Sequence, residues 1–234
     1  MRNGLRVSKQ QGFIQAVLLF GIALMTIVLA GFALANRNPS GNLNEQESKV
    51  IAGIVLQQAT TLASAINAYM ADYNQSRVVA SMTFTDTAND NSLFRTDRSY
   101  GTVQVLDNPK AFVDDTTFLR NVNPGTYAAG SWRLNKNIRI NGLGAAANPE
   151  ISVVLPNLTQ QVCEEINSSL YGRSRQTPIS VTATPAAFAG AADGTGTLVT
   201  AVDLSAVAAL LRLDKACVQV TGGGYMYYQV VLEQ

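Results

Sequence analysis

Few side chains in this sequence could carry chemistry. The chain has no histidine and only two cysteines, Cys163 and Cys217. Without histidine, Ser-His-Asp and Cys-His nucleophile systems and histidine-based zinc sites cannot be built. Two cysteines are too few for a Cys-rich metal site. The neighbouring carboxylates Glu164 and Glu165 sit in a helical stretch with no evident partner. The expectation is therefore a non-enzymatic protein with no catalytic residue, cofactor or metal. Asp86, Asn89, Asp90 and Asn91, and separately Asp114 and Asp115, offer the oxygen donors calcium takes. Their spacing departs from the D-x-D-x-D-G loop, and a solvated loop is the simpler reading. Arg133, Arg139, Arg173 and Arg175 could form a small basic patch, against the simpler reading of a solvated strand face. Gly222–Gly224 precedes a strand rather than a helix, so it is not a phosphate loop. Three N-glycosylation triplets begin at Asn74, Asn157 and Asn167; they would matter in a secretory eukaryotic protein and often arise by chance.

The elements that would position these residues begin with an uneven charge distribution. Charged residues make up 14% of the 234 residues and the net charge is +1. The first 42 residues hold Arg2, Arg6, Lys9 and Arg37 and no acid, while the remainder is net acidic. No strongly basic domain is present, so a nucleic-acid partner is not indicated. Residues 16–35 form an uninterrupted uncharged run with Thr26 as its only hydroxyl. At about 1.5 Å per residue, twenty helical residues span the roughly 30 Å of a bilayer core. A soluble helix this uniformly apolar would need protein on every side. With Arg2, Arg6 and Lys9 before the run, the positive-inside rule places residues 1–12 in the cytoplasm and the rest outside. A conventional cleaved signal, ending near Ala33 or Ala35, is the alternative.

Residues 36–44, with Pro39 and Gly41, read as a hinge. Residues 45–74 read as a second, soluble helix with Asn44 as its N-cap and Glu45 and Glu47 in its first turn. Its apolar stripe takes in positions 50, 51, 54, 55, 59, 62, 63, 66, 69, 70 and 73. This helix packs on its own domain, and its more polar side, Gln57, Gln58, Thr60 and Thr61, is a candidate contact with neighbouring subunits. Beyond it the spacing predicts strands over 78–85, 101–106, 132–140, 151–155 (ended by Pro156) and 179–182. A helix is expected over 159–170, with Gly172 as its stop, and a short one from Asp203 or Ser205 through Leu213. The chain would close on a hairpin, 217–220 and 225–232. The expected fold is α+β: a long amino-terminal helix on an antiparallel sheet with small extra helices, the globular domain covering residues 45–234.

The topology puts Cys163 and Cys217 outside the cytoplasm, where disulfides persist. A bond would close a loop of about 55 residues, worth about 4 kcal/mol in the chain-entropy model. Two buried free thiols are the alternative.

The amino-terminal order is a short basic leader ending in Gly12, then Phe13, then the apolar run. It resembles the class III signal of type IV pilins and pseudopilins. The resemblance implies cleavage by prepilin peptidase between Gly12 and Phe13, with residues 13–35 kept first as an inner-membrane anchor and then as a filament core. A carboxy-terminal disulfide-bounded region, here 163–217, is a further mark of that family. "ISVVLPNLTQQVCEEINSSL" and "CVQVTGGGYMYYQVVLEQ" look like the type IVb subgroup, while residues 78–150 match no pattern of it. The implied function is a structural subunit, major or minor, of a type IV pilus-like or type II secretion-like filament. Its partners would be copies of itself or other pilins, held through the amino-terminal helix. The chain departs from the family at the fifth mature position, where Val17 stands in place of Glu and only Gln15 offers a nearby hydrogen bond. Members lacking that Glu resemble filament-tip or minor subunits. A single-pass extracytoplasmic binding or sensor protein that never polymerises is the rival reading, and a membrane-tethered enzyme a weaker third.

Overall fold

From Val50 to Ala71 the chain carries no charge, and within that stretch Ala52, Val55, Ala59, Leu62, Ile66 and Tyr69 alternate at spacings of three and four. That spacing puts one narrow stripe on one side of a helix. Helix α1 (Asn42–Asp72) forms there, and all six side chains are buried. The computed structural model describes residues 42–73, 81–84, 91–95, 100–112, 130–144, 149–190 and 202–233. The chain divides into two compact units, Met1–Gln46, whose described part is the start of α1, and Glu47–Gln234.

The second unit holds a sheet of six strands: β1 (Arg133–Ile140), β2 (Glu150–Leu158), β3 (Ile179–Ser180), β4 (Val202–Leu204), β5 (Lys215–Gln219) and β6 (Tyr225–Leu232). Their order is β3-β5-β6-β2-β1-β4. Helix α2 (Gln160–Tyr171) follows β2, and a single turn, α3 (Pro185–Ala189), follows β3. The class is α+β, as expected, but the sheet is mixed. β1–β2, β2–β6 and β5–β6 are antiparallel, whereas β4 runs parallel to β1 and β3 parallel to β5.

The sheet is covered on both faces. One face packs Leu134, Val153, Leu155, Cys217 and Tyr227 against α1 and α2. The other packs Ile138, Val154, Val202, Leu204, Val218, Met226 and Tyr228 against Phe188 and Leu210. Alternate residues of β2 therefore go to different cores, and all nine of its residues are buried. A strand buried on both faces reads as a continuous apolar run rather than an alternating one.

Several expectations are corrected. The hinge does not extend to residue 44: residues 42–44 are helical, so Asn44 lies inside α1 rather than capping it. Pro156 does not end β2. The register shifts between Leu155 and Leu158, and Asn157 takes φ 65°, so the proline, which has no N–H to give a ladder, sits in an irregularity. The helix expected from Asp203 is instead strand β4, followed by a 3-10 turn at Ala208–Leu210. Asp203 Oδ1 accepts from Ser205 N at 2.9 Å, a local turn rather than a helix cap. Around Thr83 and Val105 only isolated bridges form, to Ser92 and Ser131.

Among the described residues, Glu45–Asp72 is long and apolar enough, by length and composition, to cross a membrane. In the fold it is the core helix. The apolar run 16–35 lies outside the described residues.

Candidate functional site

The expected processing and assembly residues, Gly12, Phe13, Gln15 and Val17, lie outside the described residues, as do Asn74, Asp86, Asn89, Asp90, Asp114 and Asp115. Cys163 and Cys217 are bonded to each other, with Cα atoms 5.3 Å apart and both side chains buried. The bond ties α2 to β5. Asn157 and Asn167 are buried at 1% and 2% exposure, so in the folded domain neither triplet presents its carboxamide. Among the described residues no three His, Cys, Asp or Glu side chains converge as a metal site would need.

The four arginines do not gather. Arg133 is buried in β1, which corrects its reading as part of a solvated strand face. Arg139 Nη1 meets Asp203 Oδ2 at 3.2 Å. The Ser205 hydroxyl and N–H hold the Asp203 carboxyl below its usual value, with Arg139 adding to the effect. Arg173 and Arg175 lie on an exposed 3-10 turn after α2. Glu164 accepts from Gln160 Nε2 at 2.7 Å within α2.

The outward side of α1 is different in character. Val50, Gly53, Ile54, Gln57, Thr60, Thr61, Ser64, Asn67, Ala68 and Ala71 are all exposed there, and none is charged. Val50 is 64% and Ile54 38% exposed, so the buried stripe is narrower than the apolar spacing predicts. Thr60, Thr61 and Ser64 turn their hydroxyls back to the carbonyls of Leu56, Gln57 and Thr60, at 2.9–3.0 Å. Hydroxyls bonded in this way make little demand on an outside partner.

A strap runs along one flank of this helix in the opposite direction. Tyr100 donates its hydroxyl to Asp72 Oδ2 at 2.7 Å, Gln58 Nε2 donates to Val105 O at 3.0 Å, and Lys110 Nζ meets Glu47 Oε2 at 3.1 Å. Close approach depends on Gly101, where an added Cβ would stand 2.7 Å from that of Ala65. Trp132 Nε1 donates to Gln58 Oε1 at 2.9 Å, so Gln58 braces strap and sheet and is not part of the open polar side. Val103 and Val105 on the strap remain exposed, at 55% and 46%. The strand expected over 101–106 falls on this strap, which forms only the isolated Val105–Ser131 bridge and is otherwise held by side-chain contacts to the helix.

A separate cavity of about 420 Å³ lies between the end of α2, the Arg173–Arg175 turn, β3 and the Ala208–Leu210 turn. Tyr171, in its wall, bonds through its hydroxyl to Lys215 O. Burial, with Asp214 adding and Arg175 opposing, pushes that phenol up to about 12.

Compared with protein-family models, curated proteins and solved structures, the chain gives no significant match in any of the three.

Proposed function

We propose that this chain is a membrane-anchored structural subunit of a type IV pilus-like or type II secretion-like filament, made with a leader that is cut after Gly12. The observation that carries this reading is the uncharged outer face of α1 from Val50 to Ala71, flanked by the exposed Val103 and Val105. A helix face that must stay in water normally carries charge. One that meets another protein surface gains by having none, because a charge buried in an interface needs a partner to offset its desolvation. In the proposed sequence of events, residues 13–35 anchor the subunit in the inner membrane and then line the filament axis. The α1 face extends that contact into the globular region. Val17, in place of a Glu, removes an insertion cost of about 2.5–3.5 kcal/mol for a central position together with the charge pairing it would allow. That favours a subunit present in few copies.

The rival reading, an anchored binding protein that does not polymerise, draws on the cavity beside α2. Amino-terminal sequencing and intact mass of the native protein separate the two. The filament reading expects a start at Phe13. Retention of Met1, or a start near Asn36, refutes it.

A further inference from the structure

We infer that the cavity beside the end of α2 is a binding site for a small organic carboxylate with an apolar body. Its 420 Å³ falls in the roughly 300–1,000 Å³ range of small-ligand sites. Its walls are largely apolar: Ile179, Ala208, Ala209, Leu211, Leu213 and Ala216. Leu211, one of the few strongly exposed large aliphatic side chains among the described residues, is part of its wall.

The polar groups in the walls decide what the ligand must supply. Asn167 is spent, its carboxamide bonded to Cys217 and to Gln176 O. The Tyr171 hydroxyl is spent on Lys215 O. Asp214, the acid that acts on Tyr171, lies 3.9 Å from Lys215 Nζ. That leaves Arg175, Ser174 and Thr177, which line the cavity and are exposed. A guanidinium presents a planar fork of donors that fits a carboxylate in bidentate fashion, and the two hydroxyls can donate beside it. An inorganic anion would satisfy the arginine but leave the aliphatic walls against water. A neutral apolar ligand would do the reverse. A carboxylate on an apolar body answers both. This inference does not rest on the filament reading and survives its failure.

The test uses the full chain in lipid nanodiscs and ¹⁹F NMR of 4-fluorobenzoate, with 4-fluorobenzyl alcohol and 4-fluorobenzylamine as neutral and cationic counterparts and empty nanodiscs as the blank. Saturable shifts are expected for the benzoate, with affinity at least tenfold above either counterpart. Arg175→Gln should weaken binding tenfold or more, while Arg139→Gln, which removes a charge elsewhere on the surface, should leave it unchanged. Ala209→Phe should occlude the cavity and abolish binding in a chain that keeps its near-ultraviolet circular dichroism. No saturable shift, equal binding of the alcohol, or full retention of binding by Arg175→Gln would each overturn the assignment.

Discussion

Asn167 holds Cys217 by both sides of its peptide: Oδ1 accepts from Cys217 N at 2.8 Å and Nδ2 donates to Cys217 O at 2.9 Å. These groups point toward the side of β5 where β3 pairs, but the pairing begins only at Ile179, opposite Val218. The carboxamide takes the place of the missing strand. Cys163, one helical turn earlier on the same face of α2, makes the disulfide to the same residue. α2 is thus fastened to one point of the sheet twice, once covalently and once by hydrogen bonds.

Asn167→Ala should therefore cost more than an ordinary side-chain truncation. It leaves a buried peptide N–H and C=O without partners, at about 1–3 kcal/mol each. A loss of about 2–6 kcal/mol is expected, read in urea titrations as a lower midpoint at unchanged slope.

The disulfide itself is checked by alkylation under denaturing, non-reducing conditions, which should label neither Cys163 nor Cys217. Replacing both by alanine should cost about 2–5 kcal/mol. With Asn167 intact, the variant's α2 should still dock, so amide exchange in the middle of α2 should stay slower than in a chain lacking Asn167 as well.

Glu150 gives a pH dependence with a definite sign. Its side chain is buried in β2, with Oε2 accepting from Ile140 N at 3.0 Å. Burial raises its pKa above the ordinary 4.5, against the lowering effect of the Ile140 bond. Between the ordinary and the raised value the folded state binds the proton more tightly than the unfolded one. Its contribution to stability is fully present below about 4.5 and is lost as pH rises through the folded value, at a slope of at most about 1.4 kcal/mol per pH unit. Glu150→Gln cannot ionise. Stability measured against pH should lose that descending component in the variant, and an unchanged profile would count against a raised Glu150.

The contrast between what could be read in the sequence and what could not follows from where each constraint lies along the chain. α2 was legible to within a residue at each end, because its signals are local: Gly172 is its stop, and Thr159, expected as its first helical residue, is its cap, the hydroxyl oxygen accepting from Val162 N. The β5–β6 hairpin was legible through Gly222 and Gly223, which turn with φ of 97° and 92°. β4 was misread because Val202–Leu204 gains its strand state from pairing with β1, over sixty residues away. The width of the exposed face on α1 was hidden for the same reason. Val50 and Ile54 fit the apolar spacing, and only the sheet's position shows that they fall outside the contact. The cavity left no signal at all, since its walls come from five segments.

Ile54 offers the sharpest test of the outer face of α1. In the isolated domain the side chain is directed outward and more than a third exposed, and the adjoining Gly53 has open space around it. Ile54→Lys should therefore change the domain's stability by no more than about 0.5 kcal/mol, the usual range for surface substitutions. It should leave cleavage after Gly12 untouched, because that site is distant in the sequence. If the face packs against a neighbouring subunit, the same lysine is buried there without a carboxylate opposite it, at a cost of several kcal/mol per contact. Filaments should then be lost or sharply reduced while the mature, anchored subunit accumulates in the membrane. Ala206→Lys, at an exposed position away from α1, should assemble normally. The readouts are unfolding midpoint, mature mass and the amount of sheared filament, measured on the parent chain and both variants. Normal filament yield from Ile54→Lys would remove the α1 face from the assembly interface, and with it the observation on which the filament reading stands.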